Sequence, residues 1–192
     1  MKKIDCIHKY GFKVELNIML GLPFLSVKEQ IEDTLNSIMW SNNHNCSSVV
    51  FPINIKTHTM IRYLYDRKLY KPISLWMVAY LLKELNHELL ENITVAWYGN
   101  RDDSYENDIQ TIYPQCCNKC RDKLASFFRS FLDSNQYNIR HNLIESLFET
   151  DDCDCFKLLV KEIEMCKANE FDIKYKEFYN LLQKDFGYIK KG

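Results

Sequence analysis

Asn17-Ile-Met-Leu-Gly-Leu-Pro-Phe-Leu-Ser-Val-Lys-Glu-Gln-Ile-Glu-Asp-Thr-Leu35 reads as a buried strand, a tight turn and a capped helix. Val14, Leu16, Ile18 and Leu20 alternate with Glu15, Asn17 and Met19, the period of two that marks a strand over 13–20. Gly21 can adopt backbone angles closed to other residues, or let another group approach the main chain closely. Ser26 and Glu29 form S-x-x-E, in which each side chain satisfies a backbone N–H at a helix start. Ile31, Thr34, Leu35, Ile38 and Met39 then recur at helical spacing and predict an apolar face on a helix over 27–41. A strand, a loop at its carboxyl end and a helix make a unit of an α/β protein, and such folds bind ligands at that loop.

Working outward, the pattern predicts a helix ending within 2–10, a strand over 47–55 and a short helix over 59–67. A long helix over 74–90 follows, with Ser74 as its cap and Leu75, Val78, Leu82, Leu85 and Leu89 as its buried stripe. A strand over 92–98 leads into the polar run Gly99 to Asp108, the expected boundary between a part spanning 1–100 and a tail spanning 101–192. The tail reads as all-helical, with helices over 118–133, 137–149, 154–168 and 170–185.

The chain has 192 residues, a formal net charge of −1 and 46% hydrophobic content, the profile of a globular protein with no global charge for nucleic acid. No apolar run approaches the ~20 residues needed to cross a bilayer, and Met1-Lys-Lys-Ile-Asp lacks a signal-peptide core. The cytoplasm is the expected compartment, where eight cysteines serve as thiols or metal ligands more often than as disulfides.

Five of those cysteines fall in two short runs, Cys116-Cys117-Asn-Lys-Cys120 and Cys153-Asp-Cys155. Cys117, Cys120, Cys153 and Cys155 supply four thiolates for a tetrahedral structural zinc, with Cys116 as an alternative to Cys117. The competing reading is a set of reduced thiols at helix starts, with Cys166 in the core. Phe127, Phe128 and Phe131 share one helical segment and read as core rather than a base-stacking platform. Arg121, Lys123, Arg129 and Arg140 are interleaved with acidic residues, so no phosphate-binding patch is read there.

The strand, Gly-Leu-Pro-Phe-Leu-Ser-x-x-Glu-Gln and helix together resemble the fifth strand and following helix of radical S-adenosylmethionine (SAM) enzymes. The similarity is to the branch that includes the Elongator catalytic subunit and the archaeosine-forming tRNA enzymes. Val49-Val-Phe-Pro-Ile-Asn-Ile-Lys56 resembles the sixth strand of that family, and Tyr65 to Trp76 resembles the segment after it. The resemblance covers residues 1–100 and implies the C-terminal part of a partial (β/α) barrel, followed by the helical tail. It also implies that Gly21, Leu22 and Pro23 run along the adenine of SAM, although a strand-to-helix turn needs no ligand. In a barrel with Val14, Leu16, Ile18 and Leu20 against the helices, Glu15, Asn17 and Met19 point into the lumen. The same reasoning sends Val50, Pro52, Asn54 and Lys56 of the next strand inward, making Asn17 and Asn54 the ligand candidates.

The family's Cys-x3-Cys-x2-Cys loop, which holds a [4Fe–4S] cluster for SAM, has no counterpart in these 192 residues. Cys116 and Cys120 have its first spacing, but Lys123 stands where the third cysteine belongs. A Pro-Gly-Thr turn frequent in relatives is replaced by Thr57-His58-Thr59. The first expectation is therefore a truncated or split member of the family, unable to cleave SAM alone and completed by an N-terminal half. The second is a non-enzymatic zinc module recognising a protein or tRNA, or self-associating through an open sheet edge.

Overall fold

A computed structural model describes residues 2–96, 111–149, 153–165 and 170–187 of the chain. The first part runs α1 (Lys2–Lys9), β1 (Glu15–Leu20), α2 (Val27–Asn42), β2 (Ser47–Pro52), α3 (Met60–Asp66), α4 (Leu75–Lys83), α5 (His87–Glu91) and β3 (Ile93–Val95). The tail contributes α6 (Asn118–Leu132), α7 (Tyr137–Glu149), α8 (Asp154–Glu164) and α9 (Glu170–Phe186). Gly99 to Asp108, Trp97, Tyr98 and Cys166, to which the sequence assigned a boundary loop, a strand end and a core position, lie outside the described residues. No helix among the described residues is long and apolar enough to cross a membrane.

The result is a mixed α/β fold around a three-stranded parallel sheet in the order β1-β2-β3. The quoted stretch forms as its chemistry dictates. Ser26 caps α2, its hydroxyl accepting from the Glu29 amide at 3.3 Å while the Glu29 carboxylate accepts from the Ser26 amide at 2.8 Å. That reciprocal pair satisfies two N–H groups that a helix start leaves without partners. Ile18 and Leu20 of β1 and Ile31 and Ile38 of α2 are buried together.

Three expectations change. Ile18 lies beside Val50, and Leu20 beside Pro52, in the parallel register. Side chains of paired residues share a face, so Val50 and Pro52 belong with the helix-covered face and not with the lumen side. Val49 and Phe51 instead lie beside Asn17 and Met19 on the opposite face. Met39, expected on the buried stripe of α2, is exposed, and the stripe continues through buried Ser41. Ser41 donates to the carbonyls of Cys46 and Ser47, so a polar residue on the buried face holds the turn into β2.

The long helix over 74–90 is two helices. Ser74 caps α4 through the Trp76 amide, and Asn86 caps α5 through the Leu89 amide. An asparagine that bonds the main chain ahead of it starts a new helix more readily than it continues an old one. All five residues of the stripe, four leucines and a valine, are nevertheless buried.

α4 is apolar except for Lys83 at its end, and all but Tyr80 and Lys83 are buried, as befits a helix enclosed by protein. It packs against α2 on one side and against α7 and α8 of the tail on another. A single core therefore joins Ile18, Leu20, Val50 and Trp76 to Leu124, Phe127, Phe128, Phe131, Ile144 and Leu159. A second, smaller cluster of Ile53, Ile55, Leu64 and Tyr70 lies beyond the carboxyl end of the sheet, with Leu22, Phe24 and Phe178 against it.

Candidate metal centre and strand-end loop

Residues 111–117 return from the end of the first part and bind it by main-chain hydrogen bonds. Ile55 and Ile112 form an antiparallel bridge, and the Leu75 amide donates to the Gln115 carbonyl at 2.9 Å. This delivers Cys117 to the start of α6, where it is the N-cap, with Cys120 one turn on. Cys153 is the N-cap of α8, and Cys155 stands in its first turn. Neither N-cap thiol makes a side-chain cap hydrogen bond. Two helix N-termini, each carrying partial positive charge, thus converge on four sulfur atoms.

The sulfurs lie 3.6 Å apart for Cys117 and Cys120, 3.3 Å for Cys117 and Cys153, and 3.4 Å for Cys120 and Cys155. Cys153 and Cys155 are separated by 3.5 Å, Cys155 and Cys117 by 3.7 Å, and no pair exceeds 4.8 Å. These are not disulfides, whose sulfurs sit about 2.05 Å apart. A tetrahedron with metal–sulfur bonds of about 2.3 Å has edges of about 3.8 Å, so the set could hold one zinc-sized ion. A four-iron cube would force the sulfurs farther apart.

Electrostatics fit the same use. Hydrogen bonding with Cys153 above all lowers the Cys117 pKa to about 7, so a thiolate forms readily there. Burial pushes the Cys120 and Cys155 thiols up, which disfavours bare thiolates and favours a cation that compensates them. Cys116, the alternative ligand, lies outside the four-sulfur set, and burial raises its pKa to about 11. It lines a cavity of about 280 Å³ that Cys117 and Cys155 also border.

The strand-end loop is more enclosed than its composition suggests. Gly21 has φ of +109°, and a Cβ there would lie 2.8 Å from Ile73 Cγ2 and 3.0 Å from the Tyr70 hydroxyl. Packing within this chain thus already demands glycine. Leu22 and Phe24 join the smaller cluster, Pro23 is half-buried, and Phe24 meets Phe171, Tyr175 and Phe178 of α9. Asn17 is exposed on the sheet face away from α2. Asn54 is half-buried, and its Oδ1 is enclosed with no hydrogen-bond donor among the described residues. Asn17 and Asn54 are therefore not brought into one equally buried site. His58 is exposed, as expected of a loop histidine.

Sequence reasoning missed Arg140. It was weighed as a phosphate contact, yet it is buried, and its guanidinium donates to the carbonyls of Phe131, Ser134, Leu90 and Ile93. Only its place on the inner side of α7, four residues before Ile144, could have signalled this.

Two curated relatives align with most of the chain. Archaeosine synthase subunit beta of Methanosarcina acetivorans is 24% identical over 161 residues, covering 82% of this chain and 41% of that protein. The chain is similar to an archaeosine synthase subunit. Uncharacterized protein MJ0550 of Methanocaldococcus jannaschii is 21% identical over 173 residues, covering 88% of this chain and 43% of its own length. The chain thus spans about two fifths of the length of the curated relatives it matches. No family model matches it, and no solved structure does. The alignment to archaeosine synthase subunit beta, at 161 residues, is too long to lie within residues 1–100, so the likeness extends into the tail.

Proposed function

We propose that this chain is part of a radical-SAM-type protein in which Cys117, Cys120, Cys153 and Cys155 hold a structural zinc ion. The ion fastens the start of α6 to the start of α8, and through them the tail to α4. The observation that carries this reading is the convergence of four sulfurs, from two segments more than thirty residues apart, to within 4.8 Å of one another. Four thiolates with no water position make a closed site, suited to holding structure rather than to hydrolysis. A reducing compartment such as the cytoplasm would keep the thiols available.

The SAM side of the reading draws on the resemblance around Gly21 to Pro23 and on the similarity to archaeosine synthase subunit beta. Asn54 Oδ1 adds one physical support, since an enclosed acceptor without a donor suits a group supplied by a ligand. The [4Fe–4S] cluster would be held by cysteines outside these 192 residues, because no complete Cys-x3-Cys-x2-Cys run occurs within them. On this reading the chain orients SAM and does not cleave it unaided. A complex, with tRNA among its substrates, is the setting the resemblance suggests.

Metal analysis of the purified chain tests the zinc reading. One equivalent of zinc that survives dialysis and is lost in C120S is the expected result. Metal-free protein that takes up no zinc, with stability untouched by chelator, would overturn it.

A further inference from the structure

The closest contacts among the four sulfurs of the metal centre run between helices. Cys117 and Cys153 lie 3.3 Å apart, and Cys120 and Cys155 lie 3.4 Å apart. Those two pairs use every sulfur once, and each joins the start of α6 to the start of α8. Each pair has to close by about 1.3 Å to reach the length of a disulfide.

The other pairings are placed less well. Cys153 and Cys155 are 3.5 Å apart but stand only two residues from each other at the start of α8. Side chains at i and i+2 leave a helix on different sides, so a bond between them would unwind its first turn. Joining Cys117 to Cys120, at 3.6 Å, leaves Cys153 and Cys155 only each other. Exchanging partners across the helices gives a Cys117–Cys155 pair at 3.7 Å, a longer start.

Packing keeps the two helix starts side by side. Phe156 of α8 lies 4.9 Å from Trp76 of α4 and 5.4 Å from Phe148 of α7. Leu124 of α6 and Leu159 of α8 are buried in the same core. One member of each cross-helix pair, Cys117 or Cys155, borders the cavity of about 280 Å³. Water takes up roughly 30 Å³ per molecule in the liquid, and hydrogen peroxide, only slightly larger, fits that space.

We infer that the centre is a redox-sensitive clamp with two covalent states. Under reducing conditions its four thiolates hold the zinc ion. Under peroxide they become the Cys117–Cys153 and Cys120–Cys155 disulfides, and the ion leaves. In each pair one thiolate attacks a peroxide oxygen, the O–O bond breaks, and a sulfenic acid and a hydroxide form. The second thiolate attacks that sulfur, the S–S bond forms, and a second hydroxide departs. Each pair gives up two electrons and reduces one peroxide, so two peroxides empty the site and free one zinc ion. Both states fasten α6 to α8, so the tail stays docked on α4 while the metal is lost. This inference rests on the zinc reading.

The test incubates the full chain with zinc and then with two equivalents of hydrogen peroxide. It uses wild type and C116S, which removes the neighbouring thiol outside the four-sulfur set. Remaining thiols are alkylated, and disulfides are mapped by peptide mass. Trypsin cuts after Lys119 and separates Cys117 from Cys120, and cleavage before Asp154 separates Cys153 from Cys155. The expected result is both cross-helix links in both proteins and one zinc ion released. Wild type loses four of its eight thiols and melts above the reduced, chelated chain. Excess thiol with zinc restores the first state. Links within one run, links through Cys116, or sulfinic acids instead of links would overturn the clamp and leave the zinc reading standing. No zinc in the untreated chain would overturn the zinc reading, and the same map of the metal-free chain then decides the pairing.

Discussion

The Tyr70 hydroxyl donates to the Gly21 carbonyl at 2.8 Å, across 49 residues of chain and out of contact with water. The bond ties the turn after β1 to the segment between α3 and α4, and burial holds the phenol well above its ordinary pKa. The same approach leaves no room for a side chain at position 21.

Removing that hydroxyl leaves a buried carbonyl without a donor, so Y70F should lose about 1–3 kcal/mol in urea unfolding. G21A should lose more, because it adds strain at φ +109° to a 2.8 Å clash with Ile73. A G21A protein as stable as wild type would mean that the turn has another conformation open to it.

Arg140 closes several helix ends at once. Its guanidinium serves carbonyls at the end of α6 and on either side of the α5–β3 junction, and lies 4.3 Å from the Phe131 ring centroid. R140M should cost about 1–3 kcal/mol or more, because it leaves buried carbonyls without their donor. R140K should not restore it, since an ammonium cannot reproduce the planar fork. Chemical denaturation of the three proteins decides this, and wild-type stability in R140K would refute the need for the fork.

Cysteine replacements should separate into two classes. C120S and C153S should lose the metal and lower the melting temperature, and chelator should lower that of wild type to match. C6S, at an exposed position, should keep one zinc and its stability. Metal loss in C6S as well would point to a different ligand set.

The capping box gives a pH signature. The Glu29 carboxyl is held below its ordinary range by the Ser26 amide and hydroxyl. A carboxyl depressed by folding stabilises the native state above its unfolded pKa, about 4.3, and that stabilisation is lost as pH falls through the folded value. E29A should therefore be less stable than wild type by about 1 kcal/mol at neutral pH. The gap should narrow in acid and vanish once wild-type Glu29 is protonated. A gap independent of pH, followed by denaturation from pH 7 to 2, would show that the charge contributes nothing.

What was legible in the sequence is what local chemistry decides. Ser26 with Glu29, and Ser74 ahead of its helix, cap as read because caps bond only neighbours in the chain. The paired cysteines were legible for the same reason, since their crowding into two short runs is a local signal, and the fold then brings the runs together. The face of β2 was not legible. Its run Val49-Val-Phe-Pro is apolar on both sides, so only pairing with β1 tells Val50 from Val49. Arg140 escaped because its role depends on partners many residues away. Nothing near Arg140 in the chain announces that Leu90 and Ile93 will offer it carbonyls.

The enclosure of α4 by both parts of the chain bears on how the molecule comes apart. Trp76 touches Phe148 and Phe156 on one side of the boundary and shares a core with Leu20 and Val50 on the other. Removing the tail would strip a largely apolar helix of its cover, and removing the sheet would do the same from beneath. Neither piece then has a melting transition of its own. Amide exchange should find β1, α4 and α6 opening together as one cooperative unit, with the slowest protons of all three sharing a single free energy.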